Sequence, residues 1–268
     1  MSKKSNKQMS LAQNFLRSSK LVRSLLDISS IAASDIVYEV GPGHGTITAE
    51  LARIAYQVIA IEKDPVLVQG LRKRFQHVNN VEIKENDFLN YRIANQEYKI
   101  FANIPYNITA GIVRKILYLP PIPSEAYLVV QKEAAEKFSG SPKETQFSIL
   151  AKPLFDFQII RELRRTDFEP SPNVDSVILH IKKRHSVLVQ EKDAFLYRSF
   201  VRYGFGRWKN KLKLSFKPIF TYPQWKRLSR DLHFSLDATP STLTFEQWLD
   251  MFEFFRHSVP DSKQAYIK

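Results

Sequence analysis

The chain has 268 residues, with 40 Lys or Arg against 27 Asp or Glu, a formal net charge of +13 and no cysteine. The missing thiols exclude disulfides, thiolate zinc sites and a cysteine nucleophile, and the six scattered histidines imply no metal. A hydrophobic content of 44%, no charge-free run long enough to span a bilayer and no apolar signal core fit a cytoplasmic globular protein that avoids membranes.

Residues 1–9 are polar, carry Lys3, Lys4 and Lys7, and read as a mobile tail. From residue 36 to residue 181, strand-like runs alternate with helical ones. The run 36–40 is β-type and opens into Gly41-Pro42-Gly43-His44-Gly45-Thr46, after which a helical pattern (Ile47, Leu51, Ile54, Ala55) begins. A Gly-rich turn between strand and helix lets a nucleotide approach the backbone and leaves helix N–H groups facing it. A second strand, 58–62, ends in Glu62, about twenty residues on, at the usual station of a ribose-binding carboxylate. A third, 81–84, leads to Asp87-Phe88, where the acid suits an adenine amine and the ring its face. Each of these has an ordinary alternative in loop chemistry, since a strand-end Asp is commonly a cap.

A fourth strand, 98–102, runs into Asn103-Ile104-Pro105-Tyr106. Pro105 has no N–H and pushes Ile104 toward an extended conformation, so neighbouring carbonyls are expected to point outward. Two acceptors, the Asn103 side chain and the Ile104 carbonyl, beside the Tyr106 ring suit a planar base carrying an exocyclic amine. Further strands are expected at 126–130, 155–160 and 174–181. Alternation of this kind predicts an α/β fold, a mostly parallel Rossmann-like sheet with helices on both faces, binding ligands at the carboxyl ends of its strands.

The last third changes character: amphipathic helices are expected at 192–205, 223–231 and 244–255, and the domain boundary falls near Lys182. Residues 182–230 carry 14 Lys or Arg against 2 acids, whereas residues 231–268 carry 3 against 6. Tyr197, Tyr203, Phe205 and Trp208 interleave with Arg198, Arg202, Arg207 and Lys209. Cations for phosphates and rings for unpaired bases suit structured RNA, while some of these rings must belong to the core, and the sequence alone does not separate the two sets.

Taken together, these residues resemble the S-adenosylmethionine-dependent rRNA adenine N6-methyltransferases, and most closely the Erm group, which methylates one adenine of 23S rRNA and confers resistance to macrolide, lincosamide and streptogramin B antibiotics. The motifs that carry the resemblance lie within residues 11–181; beyond them only the basic, helical character matches. Gln13-Asn14-Phe15-Leu16 corresponds to the N-terminal cofactor motif, and Phe168-Glu169-Pro170-Ser171-Pro172 to a segment that frames the target base. The resemblance implies a class I methyltransferase domain over 10–181 and a small all-α RNA-binding domain over 182–268. It further implies S-adenosylmethionine contacts from Asn14, Leu16, Gly41, Gly43, Glu62, Lys63, Asp87, Phe88 and Asn103. Catalysis falls to Asn103, Ile104, Pro105, Tyr106 and Phe168, and RNA binding to Arg202, Arg207, Lys209, Lys211 and Lys213. The expected partner is 23S rRNA, bound by a monomer without a metal.

An adenine N6 amine is a poor nucleophile, but attack on a sulfonium methyl gives a cationic amine that loses its proton readily. The enzyme's task is therefore placement and electrostatics. Three other readings stand beside this one. A small-subunit rRNA adenine dimethyltransferase shares nearly all the motifs. A nicotinamide oxidoreductase would use the Gly turn and Glu62 but leaves Asn103 to Tyr106 unexplained. A catalytically silent nucleic-acid binder would not require those acceptors.

Overall fold

The computed structural model describes residues 14–206 and 211–267. The expected tail at 1–9, Gln13, Arg207, Trp208 and Lys209 lie outside the described residues. The chain forms two compact units: residues up to Ala135 together with Phe157–Lys183, and Glu136–Asp156 together with the residues from Arg184 on.

In the first unit the elements are β1 (Phe15–Leu16), α1 (Ser19–Leu26), β2 (Ile36–Val40), α2 (Thr46–Leu51), β3 (Gln57–Glu62), α3 (Pro65–Arg74), β4 (Val81–Glu85), β5 (Lys99–Asn103), α4 (Thr109–Tyr118), β6 (Glu125–Gln131), α5 (Lys132–Ser139, which crosses into the second unit), β7 (Phe155–Leu163, whose first two residues fall in the second unit), β8 (Phe168–Glu169) and β9 (Ser176–Lys183). Seven strands make one sheet in the order β4-β3-β2-β5-β6-β9-β7. The pairs from β4 through β6 are parallel, as crossover helices require, and β9 is antiparallel to β6. On β2, Val37, Tyr38, Glu39 and Val40 are all buried, so both sets of alternating side chains are covered and helices occupy both faces. One face joins Val37, Val58, Phe101, Val129 and Ile178 to Leu25 of α1 and Leu51 of α2 in a single core.

Strand order reverses at β2. The chain steps outward through β3 to β4 and then returns to β5 on the other side of β2. The carboxyl ends of β2 and β5 thus flank the switch point, where ligands of open α/β sheets bind. A two-stranded ladder that the sequence did not suggest pairs Phe15 with Glu169 and Leu16 with Phe168.

The second unit is helical: α6 (Gln146–Ala151), α7 (Glu191–Phe205), α8 (Leu212–Ser215), α9 (Tyr222–Asp231), α10 (Phe245–Ser258) and α11 (Asp261–Gln264). Thr221 and Thr244 open α9 and α10 through capping boxes with Gln224 and Gln247. Phe200, Phe216, Trp248, Phe252 and Phe255 form a fully buried aromatic core. One expectation is corrected here. Residues 136–156, which a boundary near Lys182 leaves with the sheet, belong to this unit, because Ile149 is buried in the aromatic core and its carbonyl accepts from Tyr197 Oη at 2.8 Å. Of the aromatics interleaved with arginines, Tyr197 and Phe205 fall to the core and Tyr203 is half-buried against it, a division that the sequence leaves open.

Candidate active site

At the switch point a cleft open to solvent is lined by Asn14, Phe15, Gly41, Asn103, Ile104, Pro105 and Tyr106. Residues from β1, the turn after β2 and the end of β5 thus meet, although they are far apart in sequence.

The turn after β2 is built for close approach. Gly41, Gly43 and Gly45 all have positive φ (67°, 58° and 80°), which only glycine adopts without strain. A Cβ on Gly41 would meet nothing within 4 Å, so that position opens onto free space, whereas one on Gly43 would lie 2.2 Å from Phe15 Cε1. Glu62, at the end of β3, is buried and accepts from three backbone amides: Gly43 N at 3.2 Å, Lys63 N at 2.8 Å and Asp64 N at 3.0 Å. It therefore fixes the turn while keeping lone pairs for another donor.

Asp87 is both cap and candidate ligand. Its Oδ1 accepts from Leu89 N at 2.9 Å, and its Oδ2 lies 3.4 Å from Lys63 Nζ. Phe88, expected to cover an adenine face, is instead buried, with the Lys115 ammonium 4.9 Å from its ring centroid.

In the Asn103–Tyr106 motif, Asn103 Nδ2 donates to the Asn14 carbonyl at 2.6 Å, which leaves Oδ1 as the acceptor side of the amide. Ile104 N donates to Val129 O at 3.1 Å, and the residue is almost wholly buried in the wall of the cleft. The Pro105 carbonyl does not point free as expected: it accepts from Ile108 N at 3.1 Å and from Thr109 Oγ1 at 3.4 Å. The Tyr106 hydroxyl lies 2.7 Å from Ser176 Oγ, and burial raises its pKa above the usual phenol value.

Three sequence assignments change. The Phe168 side chain has no exposed surface and lies in the sheet core, away from the cleft. Leu16 is buried in the same core, while its neighbour Phe15, which the sequence reading passed over, lines the cleft. A two-residue strand explains both, since adjacent side chains point to opposite faces. In the second unit Arg202 is exposed, but Lys211 Nζ and Lys213 Nζ both pair with Asp237, at 2.7 and 2.5 Å. The two lysines hold the Asp237 carboxyl down at about 2.

Three further residues surround the site. Glu39 is fully buried beneath the glycine turn, with Oε2 accepting from Thr48 Oγ1 at 2.6 Å and Oε1 without a partner. Burial pushes its carboxyl up to about 8, with Glu62 adding to the rise and Thr48 and Arg74 opposing it. Ser176 and Lys115 are the others. An acid within a run of buried strand residues was the one signal available in the sequence for Glu39. Among the described residues no group of three or more His, Asp or Glu side chains could hold a metal, and no helix is long and apolar enough to cross a membrane.

The family model for ribosomal RNA adenine dimethylases matches residues 4–257. The chain is 30% identical over 251 residues to an rRNA adenine N-6-methyltransferase of Bacteroides fragilis, covering 93% of this chain and 94% of that protein. It is 29% identical over 251 residues to ribosomal RNA small subunit methyltransferase A of Acaryochloris marina, covering 89% and 93%. The crystal structure of the 23S rRNA methyltransferase ErmE matches with a TM-score of 0.85 at 28% identity, covering 91% of this chain and all of that one. The cleft at the switch point and its Asn-Ile-Pro-Tyr wall are thus set in a chain that belongs to the ribosomal RNA adenine dimethylase family and is an rRNA adenine N6-methyltransferase.

Proposed function

We propose that this enzyme uses S-adenosylmethionine to methylate N6 of a single adenine in 23S rRNA, and so confers macrolide, lincosamide and streptogramin B resistance. The observation that carries the chemistry is the orientation of Asn103, whose amide is locked to Asn14 O with Oδ1 left for the cleft. The choice of 23S rRNA is supported by the match to ErmE over the whole of that chain.

The residues at the strand ends fit this cofactor. Open space at Gly41 admits a chain close to the backbone, Glu62 retains acceptor capacity for ribose hydroxyls, and Asp87 retains it for an adenine amine. When bound, the cofactor supplies an electrophilic methyl group on a sulfonium. The protein supplies placement. Asn103 Oδ1 and the Ile104 carbonyl accept from the target N6 amine, which draws the nitrogen toward a tetrahedral shape and frees its lone pair. The Tyr106 ring, steadied by Ser176, stacks on the extruded base. Stacking of ~1–3 kcal/mol offsets much of the few kcal/mol needed to unstack an adenine. With Phe168 in the core, Tyr106 is the aromatic platform of this arrangement. Water takes the proton released from the cationic amine. The basic surface of the second unit, including Arg202, binds rRNA phosphates.

The small-subunit reading draws on the 29% identity to the Acaryochloris marina protein. Primer extension on both rRNAs after incubation with purified enzyme and S-adenosylmethionine separates the two. A stop in 23S rRNA alone is expected; stops confined to small-subunit rRNA would overturn the proposal.

A further inference from the structure

We propose that Lys115 is a positioning residue for the cofactor: from the helix that follows the target-base motif, it holds the turn from Asp87 to Tyr91 in the shape that presents the Asp87 carboxylate to an adenine amine. This rests on assigning that turn to the cofactor's adenine.

Lys115 Nζ donates to three backbone carbonyls of one turn, Phe88 O at 2.5 Å, Leu89 O at 3.1 Å and Tyr91 O at 2.5 Å. An ammonium has three N–H donors, and all three are used here. Three carbonyl oxygens brought this close repel one another unless a cation lies between them. The same ammonium is 4.9 Å from the centroid of the Phe88 ring, a second attraction that pins the turn. Burial lowers the Lys115 pKa, and the Asp87 charge opposes that shift.

The turn in turn sets Asp87. Asn90 N and Tyr91 N donate to Asp87 O at 2.9 and 3.0 Å, and Leu89 N donates to Asp87 Oδ1 at 2.9 Å. Leu89 thus holds the carboxylate through its N–H while Lys115 holds Leu89 through its carbonyl. The Leu89 side chain also lies against α4, where a Cβ on Gly111 would come 3.4 Å from Leu89 Cδ2. Because α4 begins at Thr109, just after Tyr106, one helix joins the wall of the target base to the turn that carries Asp87. Lys115 itself contacts neither the cleft residues nor the reacting atoms; its action passes through the backbone of the turn.

The test is calorimetry with the full chain, comparing S-adenosylhomocysteine with its hypoxanthine analogue S-inosylhomocysteine, which replaces the amine by a carbonyl that a carboxylate repels. Wild type should prefer the adenine compound by ~10-fold, the discrimination expected when a half-buried carboxylate set for an N–H donor meets a carbonyl instead. Lys115→Met keeps the apolar stem and should bring the ratio close to one by weakening only the adenine compound, with kcat at saturating cofactor nearly unchanged. Lys115→Gln, which keeps two N–H donors, should give an intermediate ratio and serves where the Met variant does not fold. A variant that folds and keeps the wild-type ratio would overturn the role of Lys115. A wild type without any preference would overturn the assignment of the turn, and the inference with it.

Discussion

Asn103 Nδ2 and the backbone carbonyl of Asn14 lie 2.6 Å apart, so a segment before the first strand sets the orientation of a side chain at the end of the fourth strand of the main sheet. Asn103→Asp keeps the shape but places an oxygen against that carbonyl, replacing attraction by repulsion. We expect a kcat loss of ~100-fold or more, as for removal of a preorganised transition-state contact. Asn103→Ala should lose as much. Single-turnover methyl transfer measures both, and an Asp variant with near-wild-type kcat would show that the amide orientation does not matter.

Tyr106 should behave as a ring rather than as a phenol. Tyr106→Phe loses the hydroxyl's contacts, with Ser176 Oγ at 2.7 Å and with the Asn14 side chain, and should reduce stability by about 1 kcal/mol while keeping most activity. Tyr106→Ala should lose most of the rate, because stacking worth ~1–3 kcal/mol is gone. Steady-state kinetics and thermal melts of the pair check this; equal activity of the Ala variant and wild type would make Tyr106 a packing residue.

The strand-end stations were legible because βαβ alternation and a glycine turn fix where loops must lie, and Gly41, Glu62, Asp87 and Asn103 sit where that pattern puts them. Other features were not legible, for physical reasons. β1 and β8 have two residues each, too short for a period, so the sequence alone separates neither Phe15 from Leu16 as cleft from core nor Phe168 from the site. Tyr197, Phe200, Val201, Gly204 and Phe205 do carry the i, i+3, i+4, i+7, i+8 spacing of a buried helix face, and that signal outweighs their interleaving with arginines. The grouping of 136–156 with the second unit depends on contacts distant in sequence, such as Tyr197 to Ile149, which no local pattern announces.

Glu39 gives a pH dependence with a definite sign. Its folded-state pKa, raised by burial from 4.5 to about 8, lies above its unfolded value. The folded protein then holds a proton that the unfolded chain has lost, so this group's contribution is fully present below about pH 4.5, falls as pH rises toward 8, and is flat above. Glu39→Gln keeps the bond with Thr48 and cannot ionise. Between pH 5 and 8 the stability of wild type relative to this variant should fall steadily, as read from urea midpoints; a constant difference would mean that Glu39 is ionised throughout.

The basic second unit should control RNA affinity without touching the cofactor. Neutralising Arg202, Arg207, Lys209 and Lys211 together should weaken rRNA binding and flatten its salt dependence by roughly 0.7 to 0.9 per lost phosphate contact. Asp237 competes for Lys211 and Lys213, so Asp237→Asn should strengthen RNA binding. Filter binding across a salt series reads both; wild-type affinity and slope in the quadruple variant would leave the surface merely solvated.

The central claim is that the Asn103–Tyr106 wall delivers one 23S rRNA adenine for methylation at N6. Its most direct measurement is transfer of a labelled methyl group to purified 23S and small-subunit rRNA by wild type and Asn103→Ala, followed by nucleoside analysis and mapping of the modified position. The account predicts N6-methylated adenosine at a single position of 23S rRNA with wild type and a loss of ~100-fold or more with the variant. Label in the small-subunit rRNA alone, at another base, or undiminished in the variant would contradict it.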